Sequence, residues 1–499
     1  MDARFRIFYL FFGVFFLIIF GRLVFLSGFM GSYYKSLAFD NKITEKKIPA
    51  QRGRILDRNG KVLAESVNEE GKFMRFYPFG EILAHVVGYV NADNKGVIGI
   101  EGYYDGELSG VGGENLLETE ALGTTTEMAV KEALAGKDVR TNIDFELQKN
   151  VYLILKNELE ELDLSEGVVI VSRVNGEVLS LVSLPSFDTN LFTGTAKRGE
   201  AGGSYADIKE ILTDEINKPL FDRAISGAYA PGSVYKLVPA IAGLSEGIID
   251  DGFLVRDEGE IKVGKERFGN WYFDQYGRVE GDVDVVRALA RSNDIFFYKL
   301  GEELGEDKLI FWSRKLGLGS KTGIDLAGEA VGLVPDPLWR EKTLGSRWYL
   351  GNTYHMSIGQ GDLMATPMQI NRMTAGVVSS KLCSPRIRSG EGDNCQGLGI
   401  NDDDRKLILE GMRRACGKND SYDGTAFTFF DLGETIYCKT GTAQQGGEKD
   451  NPHAWMSVVV PDGDNDIVIT VMIPAGGEGS KVAGPIARKV VDYILKNEI

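Results

Sequence analysis

The chain has 499 residues, which suits two or three domains, and its 43% hydrophobic content excludes a disordered protein. A formal net charge of −16 argues against a nucleic-acid partner, because the chain as a whole repels phosphate. The histidines, His85, His355 and His453, lie far apart with no cysteine cluster nearby, which argues against a metal site.

An apolar run lies at the N-terminus. Phe5 to Phe29 is almost continuously apolar, interrupted by Arg22, and is long enough to cross a bilayer. A cleaved signal peptide is the alternative, but the apolar core is long and no clear small-x-small cleavage site follows it. Arg4 and Arg6 indicate a cytoplasmic N-terminus, although lysines beyond the span weaken this charge asymmetry. Residues 1–30 are therefore predicted to be a cytoplasmic tip and a transmembrane anchor, with the rest of the chain on the far side.

Residues 31–140 are more polar and rich in glycine, and they predict a strand-rich, non-catalytic stalk. Lys61–Ala64 and His85–Val90 are predicted to be extended. Arg52–Gly60 is a charged run that ends in an Asn-Gly turn dipeptide, which favours a solvated turn between strands. Gly113–Ala135 is predicted to form a loop and an amphipathic helix.

The pattern changes after Asn142. Apolar residues at helical spacing predict a helix over Asp144–Glu161. Two strand-like runs, Val168–Val171 and Val178–Val182, flank the dipeptide Asn175-Gly176 and predict a β-hairpin.

A Pro-Gly turn at Pro231 runs into an apolar segment that ends near Leu244, and it predicts the start of a buried helix. Ser233 and Lys236 are three residues apart, so they share one face and the lysine amine can reach the serine hydroxyl. A desolvated lysine with a depressed pKa can take the serine proton, which makes Ser233 a candidate nucleophile. The N–H groups at the start of a helix also favour oxyanion chemistry.

The Ser-x-x-Lys spacing alone is a weak signal. Ser32 and Lys35 repeat it, but they lie in a polar stretch with no Pro-Gly turn before them and no apolar helix after them.

Ser292-Asn293-Asp294 precedes the apolar run Ile295–Tyr298. A serine and a carboxylate two residues apart at a bend can relay a proton and hold a lysine amine in place. Taken alone, the pattern is more typical of a helix cap.

Lys439-Thr440-Gly441-Thr442 closes a predicted strand. A lysine, a hydroxyl and a glycine leave room for a ligand backbone along the strand edge, with its carboxylate beside the cation. An ordinary strand end is the alternative. Lys321-Thr322-Gly323 repeats the pattern, but two glycines and a serine precede it and indicate a loop.

Two further strands are predicted at His453–Val460 and Asp466–Ile473, followed by an amphipathic helix at Ala483–Asn497. The C-terminal part of the chain is therefore predicted to be an α+β domain, with an antiparallel sheet covered by helices.

The four cysteines all lie in the last quarter of the chain. If this part is extracytoplasmic, two disulfides are plausible, and sequence proximity favours Cys383 with Cys395 and Cys416 with Cys438. Four buried free thiols are the alternative.

The three patterns in the order Ser-x-x-Lys, Ser-x-Asp and Lys-Thr-Gly resemble those of class B penicillin-binding proteins, which are monofunctional D,D-transpeptidases of peptidoglycan synthesis. The resemblance covers nearly the whole chain and implies a transpeptidase domain over 141–499. The residues after Ser292-Asn293-Asp294 are more similar to the elongation-type branch, penicillin-binding protein 2. Five other stretches are similar to family signatures: Arg52–Gly60, Gly99–Tyr104, Pro185–Asn190, Pro219–Ile225 and Ile358–Gly361.

The resemblance implies that Ser233 attacks the carbonyl of the penultimate D-alanine of a pentapeptide stem while Lys236 takes its proton. The N–H groups of Ser233 and Thr442 would hold the oxyanion. Ser292 would pass a proton to the leaving D-alanine and Asp294, where many class B enzymes have asparagine, would fix Lys236.

In the same resemblance Lys439 and Thr440 bind the terminal carboxylate of the stem, and a second stem's amine completes the cross-link. No metal or organic cofactor is implied, and β-lactams are expected inhibitors. Glycan polymerisation would fall to a separate multi-span membrane polymerase. The alternatives are a D,D-carboxypeptidase or β-lactam hydrolase, or a non-catalytic scaffold or sensor.

Overall fold

The computed structural model describes residues 3–40, 43–69, 72–119, 125–195, 204–390, 392–444, 451–463 and 465–499. Contacts within the chain divide it into two compact units. The first unit comprises Met1–Gly53, Asn68–Phe73 and Ser109–Lys137. The second comprises Arg54–Val67, Met74–Leu108 and Asp138–Ile499.

The first unit begins with the predicted apolar segment. A helix over Ala3–Val24 continues as a π-helical turn over Phe25–Phe29, and a second helix covers Gly31–Asp40. Ala3–Phe29 has a mean hydropathy of 2.4 and none of its window is buried. Within the described residues it is the one helix with the length and composition of a membrane span, and it fits a single-pass anchor.

The first unit also contains a three-stranded antiparallel sheet. Gly113–Thr119 is the central strand and pairs with Ile43–Ile48 on one side and Thr125–Lys131 on the other. The prediction of a loop and helix over Gly113–Ala135 was therefore wrong. Its Glu and Ala residues favour a helix locally, but pairing with the distant strand satisfies the backbone groups in the extended form.

A four-stranded sheet has the strand order Lys72–Phe76, Val62–Glu69, Ile55–Leu56 and Val139–Arg140. The turn predicted within Arg52–Gly60 is confirmed between two strands, with Asn59 and Gly60 exposed, but the charged Asp57 is 2% exposed. Its carboxylate accepts hydrogen bonds from the N–H groups of Asn59 and Lys61, so the charge organises the turn rather than facing solvent.

The extended conformation predicted for His85–Val90 was wrong for its first half, where a buried helical turn covers Ala84–Val87. Other helices lie at Gly99–Tyr103, Asp105–Leu108 and Ile208–Thr213.

The central sheet has five antiparallel strands, in the order Tyr437–Ala443, His453–Val460, Ile467–Ile473, Gly167–Arg173 and Val178–Leu184. The predicted hairpin and both later strands are confirmed. Side chains alternate between two cores, since Val168 and Ile170 join one buried cluster and Val169 and Val171 join the other.

Helices cover both faces of this sheet. Phe145–Glu161 and Ala483–Asn497, both predicted, lie on one face, and Pro367–Ser379 lies on the other. Asp144 caps the first of these helices by accepting from the N–H groups of Glu146 and Leu147. The α+β architecture is therefore confirmed.

The remaining helices are Leu237–Ser245, Trp271–Tyr276, Val285–Arg291, Asp294–Lys315, Pro337–Leu344, Leu350–Ser357 and Asp402–Ala415. Three small antiparallel pairs complete the described elements: Val255–Asp257 with Gly281–Val283, Glu260–Val263 with Glu266–Gly269, and Lys381–Cys383 with Cys395–Gly397. The cysteines form the two disulfides that sequence proximity favoured, Cys383 with Cys395 and Cys416 with Cys438.

Candidate active site

Ser233 lies on a single 3₁₀ turn, Gly232–Lys236, which leads directly into the buried helix Leu237–Ser245. Ser233 itself is half-buried, whereas Lys236 is fully buried. Gly232 has φ +56°, and a Cβ there would lie 2.7 Å from the carbonyl oxygen of Thr442. Glycine is therefore required for the turn to lie directly against the strand that carries Lys439.

Gly441 allows the same approach from the strand side. A Cβ at Gly441 would meet Val234 Cγ1 at 3.0 Å and the carbonyl oxygen of Pro231 at 3.2 Å. Trp455 of the neighbouring strand fixes the residue before the turn, because its indole N–H donates to the carbonyl of Ala230 at 3.0 Å. The glycine of Lys-Thr-Gly thus has a packing role in addition to the room for a ligand that the sequence predicts.

The Lys236 amine joins the Ser-x-x-Lys turn to the Ser-x-Asp turn. Its Nζ donates to Asp294 Oδ1 at 2.6 Å and to the Ser292 carbonyl at 2.8 Å, and it lies 3.4 Å from Ser292 Oγ. Ser292 has φ +54°, in the left-handed region, at the end of helix Val285–Arg291. This conformation points both the carbonyl and the hydroxyl of Ser292 to the amine.

Lys439 is also fully buried, and its Nζ donates to Ser292 Oγ at 2.9 Å and to the Thr440 carbonyl at 3.0 Å. The Ser292 hydroxyl therefore lies between two lysine amines and accepts from both. Lys236, Ser292, Asp294 and Lys439 form one hydrogen-bonded cluster, although they come from three distant parts of the sequence.

Burial lowers the pKa of Lys236, and the Asp294 carboxylate opposes this shift. Burial also lowers the pKa of Lys439 well below its usual value, and the positive charge of Lys236 lowers it further. Burial thus favours the neutral amine, which is the form that a proton acceptor for a serine hydroxyl requires.

The other predicted site residues have separate partners. Thr440 Oγ1 donates to Thr425 Oγ1 at 2.8 Å, while the Thr442 carbonyl accepts from Gln360 Nε2 at 3.3 Å. Within the described part of the chain the Ser233 hydroxyl has no hydrogen-bond partner. The predicted reach of Lys236 to Ser233 is therefore not realised as a hydrogen bond in this structure.

The two repeated patterns lie elsewhere in the chain. Ser32 and Lys35 are exposed on the helix Gly31–Asp40. Thr322 lies in a loop, where both its N–H and its hydroxyl donate to the Glu329 carboxylate. Neither repeat joins the lysine cluster.

Sequence reasoning missed several residues that hold the cluster. The N–H of Trp271 donates to Asp294 Oδ2 at 3.1 Å, and Asn270 Oδ1 accepts from the N–H of Asp294 at 3.2 Å. Asn270 and Asn293 in turn bond to the buried Asp257. Asn293 lies between the two predicted residues Ser292 and Asp294, but no local pattern links Asp257 or Asn270 to them.

The described residues contain no group of three or more His, Cys, Asp and Glu side chains arranged to hold a metal ion.

Comparisons with known proteins identify the family of the chain. Residues 167–492 match the penicillin binding protein transpeptidase domain, and residues 52–138 match the penicillin binding protein A dimerisation domain. The peptidoglycan D,D-transpeptidase MrdA of Haemophilus influenzae is 30% identical over 474 residues, which cover 86% of this chain and 70% of the relative.

Two solved structures are similar over most of their length. Pseudomonas aeruginosa PBP2 in complex with WCK 5153 is 30% identical with a TM-score of 0.75, covering 90% of this chain and 96% of that one. Helicobacter pylori PBP2 in its complex with MreC is 26% identical with a TM-score of 0.77, covering 91% and 99%. The chain belongs to the penicillin-binding protein transpeptidase family.

Proposed function

We propose that Ser233 is the acylated nucleophile of a peptidoglycan D,D-transpeptidase and that Lys236 is its general base. The chain is a serine-type D-Ala-D-Ala transpeptidase that cross-links stem peptides and is inhibited by β-lactams. The observation that carries the residue assignment is the buried Lys236 amine, whose pKa is lowered by burial and which Asp294 and Ser292 hold three residues after Ser233.

In acylation, Ser233 Oγ attacks the carbonyl carbon of the penultimate D-alanine, and its proton passes to Lys236. A small rotation of either side chain brings the two together, because they lie on one short turn. The N–H groups of Ser233 and Thr442 stabilise the oxyanion, and the closeness of Gly232 to the Thr442 backbone supports this pairing.

The leaving D-alanine needs a proton on its nitrogen. The Ser292 hydroxyl accepts from both lysine amines, so its own hydrogen is free to be donated to the leaving nitrogen. Lys236, protonated in the first step, then returns a proton to Ser292. Asp294 stabilises the transient charge on Lys236 through its 2.6 Å contact.

Lys439 and Thr440 bind the terminal carboxylate of the stem, or that of a β-lactam. A carboxylate arriving beside Lys439 favours the ammonium form, which burial disfavours in the free enzyme. The amine of a second stem then attacks the acyl-enzyme. In the carboxypeptidase and hydrolase alternatives, water attacks instead.

The proposed domains are 1–30 as anchor, 31–140 as stalk and 141–499 as transpeptidase domain, a division supported by the ranges of the two family matches. We place the catalytic domain outside the cytoplasm. The disulfides at Cys383–Cys395 and Cys416–Cys438 support this, because such bonds persist in oxidising compartments. Protease digestion of intact spheroplasts tests it, and a protected catalytic domain would contradict it.

The proposed partner is a multi-span membrane glycan polymerase that contacts the anchor. The unburied apolar surface of Ala3–Phe29 supports this proposal. Exchange of this segment for an unrelated span is expected to abolish co-purification with the polymerase. Unchanged association would contradict it.

The decisive experiment is intact-mass analysis of the full chain in detergent after exposure to a penicillin. We expect a gain of one opened β-lactam on the native chain and none on Ser233→Ala, because the ester forms at the Ser233 oxygen. Adduct formation by Ser233→Ala would refute the assignment. A native chain that gains no mass would favour the scaffold or sensor alternative.

A further inference from the structure

A buried carboxylate, Asp257, lies one layer behind the lysine cluster. It is 1% exposed and accepts four hydrogen bonds. Its Oδ1 accepts from the N–H of Gly259 at 2.7 Å. Its Oδ2 accepts from Asn270 Nδ2 at 2.7 Å, from Asn293 Nδ2 at 2.8 Å and from the N–H of Glu280 at 3.3 Å. The two side-chain amides are the only side chains among these partners.

Both asparagines connect Asp257 to the Ser292–Asp294 turn. Asn270 and Asn293 are 0% exposed. Asn270 Oδ1 accepts from the N–H of Asp294, and Asn293 Oδ1 accepts from the N–H of Phe296 at 2.9 Å, which caps the following helix. Each amide therefore donates to Asp257 and accepts from the backbone at or beside the turn, which fixes the orientation of both amide groups.

The same segment fixes the Asp294 carboxylate. Trp271, the residue after Asn270, donates its N–H to Asp294 Oδ2, so Oδ1 is the oxygen that faces Lys236. Ser292, at the other end of the turn, keeps a left-handed backbone with φ +54°. A non-glycine residue adopts this conformation only where its surroundings hold it.

We infer that Asp257, Asn270 and Asn293 form a positioning network that holds the Ser292–Asp294 turn where both residues meet the Lys236 amine. Asp257 is a positioning residue and not a catalytic one, because it contacts no group that reacts. The inference rests on the proposed roles of Ser233 and Lys236.

The chemistry of Asp257 requires an acceptor at both oxygens, because all four partners are N–H donors. In Asp257→Asn, one of the two positions becomes an NH₂ group that faces a donor. At the Oδ2 position this group opposes Asn270 and Asn293 directly, and at the Oδ1 position it opposes the N–H of Gly259. In both orientations the negative charge that strengthens the bonds to Asn270 and Asn293 is lost. The turn is then free to shift, and a misplacement of about 1 Å can reduce a rate about 100-fold.

The test is the rate of penicillin acylation by the full chain in detergent, measured from pH 5 to pH 10. We expect Asp257→Asn to lower the plateau rate by at least about tenfold. We also expect the acid limb of the pH profile to move to lower pH. The reason is that Asp294 opposes the fall in the pKa of Lys236, and a displaced Asp294 opposes it less.

Asp325→Asn is the matched control. Asp325 is a buried carboxylate that accepts from the N–H groups of Ile387 and Arg388 and from the hydroxyl of Tyr104, and it makes none of the contacts of the lysine cluster. We expect it to lower the melting temperature without moving the acid limb. If the role of Asp257 were purely structural, Asp257→Asn and Asp325→Asn would both lower the melting temperature, and neither would move the acid limb.

A double variant tests the specific bond. Asp257→Asn with Asn270→Asp exchanges donor and acceptor between the two positions, and we expect it to recover part of the lost rate and of the pH shift. Native rate and profile in both Asp257→Asn and Asn270→Ala would overturn the inference, as would a loss matched by Asp325→Asn and not relieved in the double variant. If Asp257→Asn does not fold, Asn270→Ala is expected to show the same displacement of the acid limb, and a native profile there would overturn it.

The same series separates this inference from the proposed function. A native chain that is not acylated at Ser233 would refute the proposed function, whereas normal native acylation with native-like Asp257→Asn and Asn270→Ala variants would refute only the network.

Discussion

Two opposed effects act on the pKa of Lys236. Burial lowers its pKa, and the negative charge of Asp294, 2.6 Å away, raises it. The first makes the neutral amine available to take a proton, and the second stabilises the ammonium once the proton has arrived. In the proposed mechanism, the identity of residue 294 therefore sets the pH at which Lys236 becomes active as a base.

Replacement of Asp294 by asparagine is expected to move the acid limb of the acylation profile to lower pH. The amide oxygen can still accept from Lys236, so the plateau rate should remain within about tenfold of native. The negative charge is lost, however, so the pKa of Lys236 falls and the neutral amine persists in more acidic solution. The measurement is the acylation rate constant with a fluorescent penicillin as a function of pH.

Asp274→Asn is the control for this substitution, since that carboxylate pairs with Arg267 on the surface. It should leave the profile in place. An acid limb that stays fixed in Asp294→Asn, or moves to higher pH, would show that Asp294 does not govern the charge of Lys236.

At the scale of elements, the site depends on the close approach of three backbone segments. The N–H of Gly232 donates to the carbonyl of Gly359 at 2.8 Å, and a Cβ at Gly359 would lie 2.1 Å from the carbonyl oxygen of Gly232. On its other side Gly232 lies against Thr442. The turn Gly232–Lys236 is thus packed between the loop at 358–361 and the strand of Lys439.

Gly359→Ala is expected to push the turn out of place and to lower the acylation rate by at least about tenfold. Gly345→Ala is its control, because Gly345 has a similar φ of +65° but open space around its Cβ position. Both variants should lose about 1–2 kcal/mol of stability from the left-handed backbone. Only Gly359→Ala should slow acylation, and equal rates in the two variants would contradict the packing argument.

The helices and strands differ in how well the sequence predicts them. The hairpin around Asn175-Gly176 and the helix Ala483–Asn497 follow from local periodicity and turn chemistry, and both were predicted correctly. Gly113–Ala135 was assigned wrongly because one of the two strand partners of Gly113–Thr119, Ile43–Ile48, lies far away in the sequence. Strand pairing over such a distance leaves no local pattern.

Some residues of the candidate site could likewise be predicted from the sequence, and others could not. Lys236, Ser292, Asp294 and Lys439 could be found because each belongs to a short pattern of chemically reactive residues. Asp257 could not, because a single aspartate on a short strand has no local feature that distinguishes it from a surface residue. Its importance comes from burial and from its contacts across the fold, which only the structure provides.

At the scale of the whole molecule, buried titratable groups set the response to acid. His85 is buried and its Nε2 lies 2.9 Å from the carbonyl oxygen of Pro219. Burial lowers the pKa of His85 to about 4. Burial likewise lowers the pKa of His453 to about 4, and the N–H of Ala475 donates to its Nδ1. Burial raises the pKa of Asp222 to about 7, so this carboxyl also changes the stability of the protein between about pH 4 and pH 7.

The signs of these contributions differ. The unfolded chain binds a proton at a histidine near pH 6.5, before the native His85 does, so its contribution to stability is complete above pH 6.5 and is lost as the pH falls towards 4. The raised pKa of Asp222 has the opposite effect, because the native state then binds the proton first. The pH dependence of the stability of the native protein therefore does not by itself isolate the contribution of either group.

The difference between the native chain and His85→Gln does isolate His85. A glutamine does not titrate and its amide can donate to the Pro219 carbonyl, so the variant should be less stable at pH 7 through lost packing but should lose less between pH 6.5 and pH 4. The shift in the pKa of His85 from 6.5 to about 4 corresponds to a free energy of at most about 3 kcal/mol. As the pH falls, the difference in stability between the native chain and the variant should shrink by no more than this amount. The measurement is the melting temperature of each from pH 4 to pH 8, and parallel curves would show that His85 takes up its proton equally in the folded and unfolded chains.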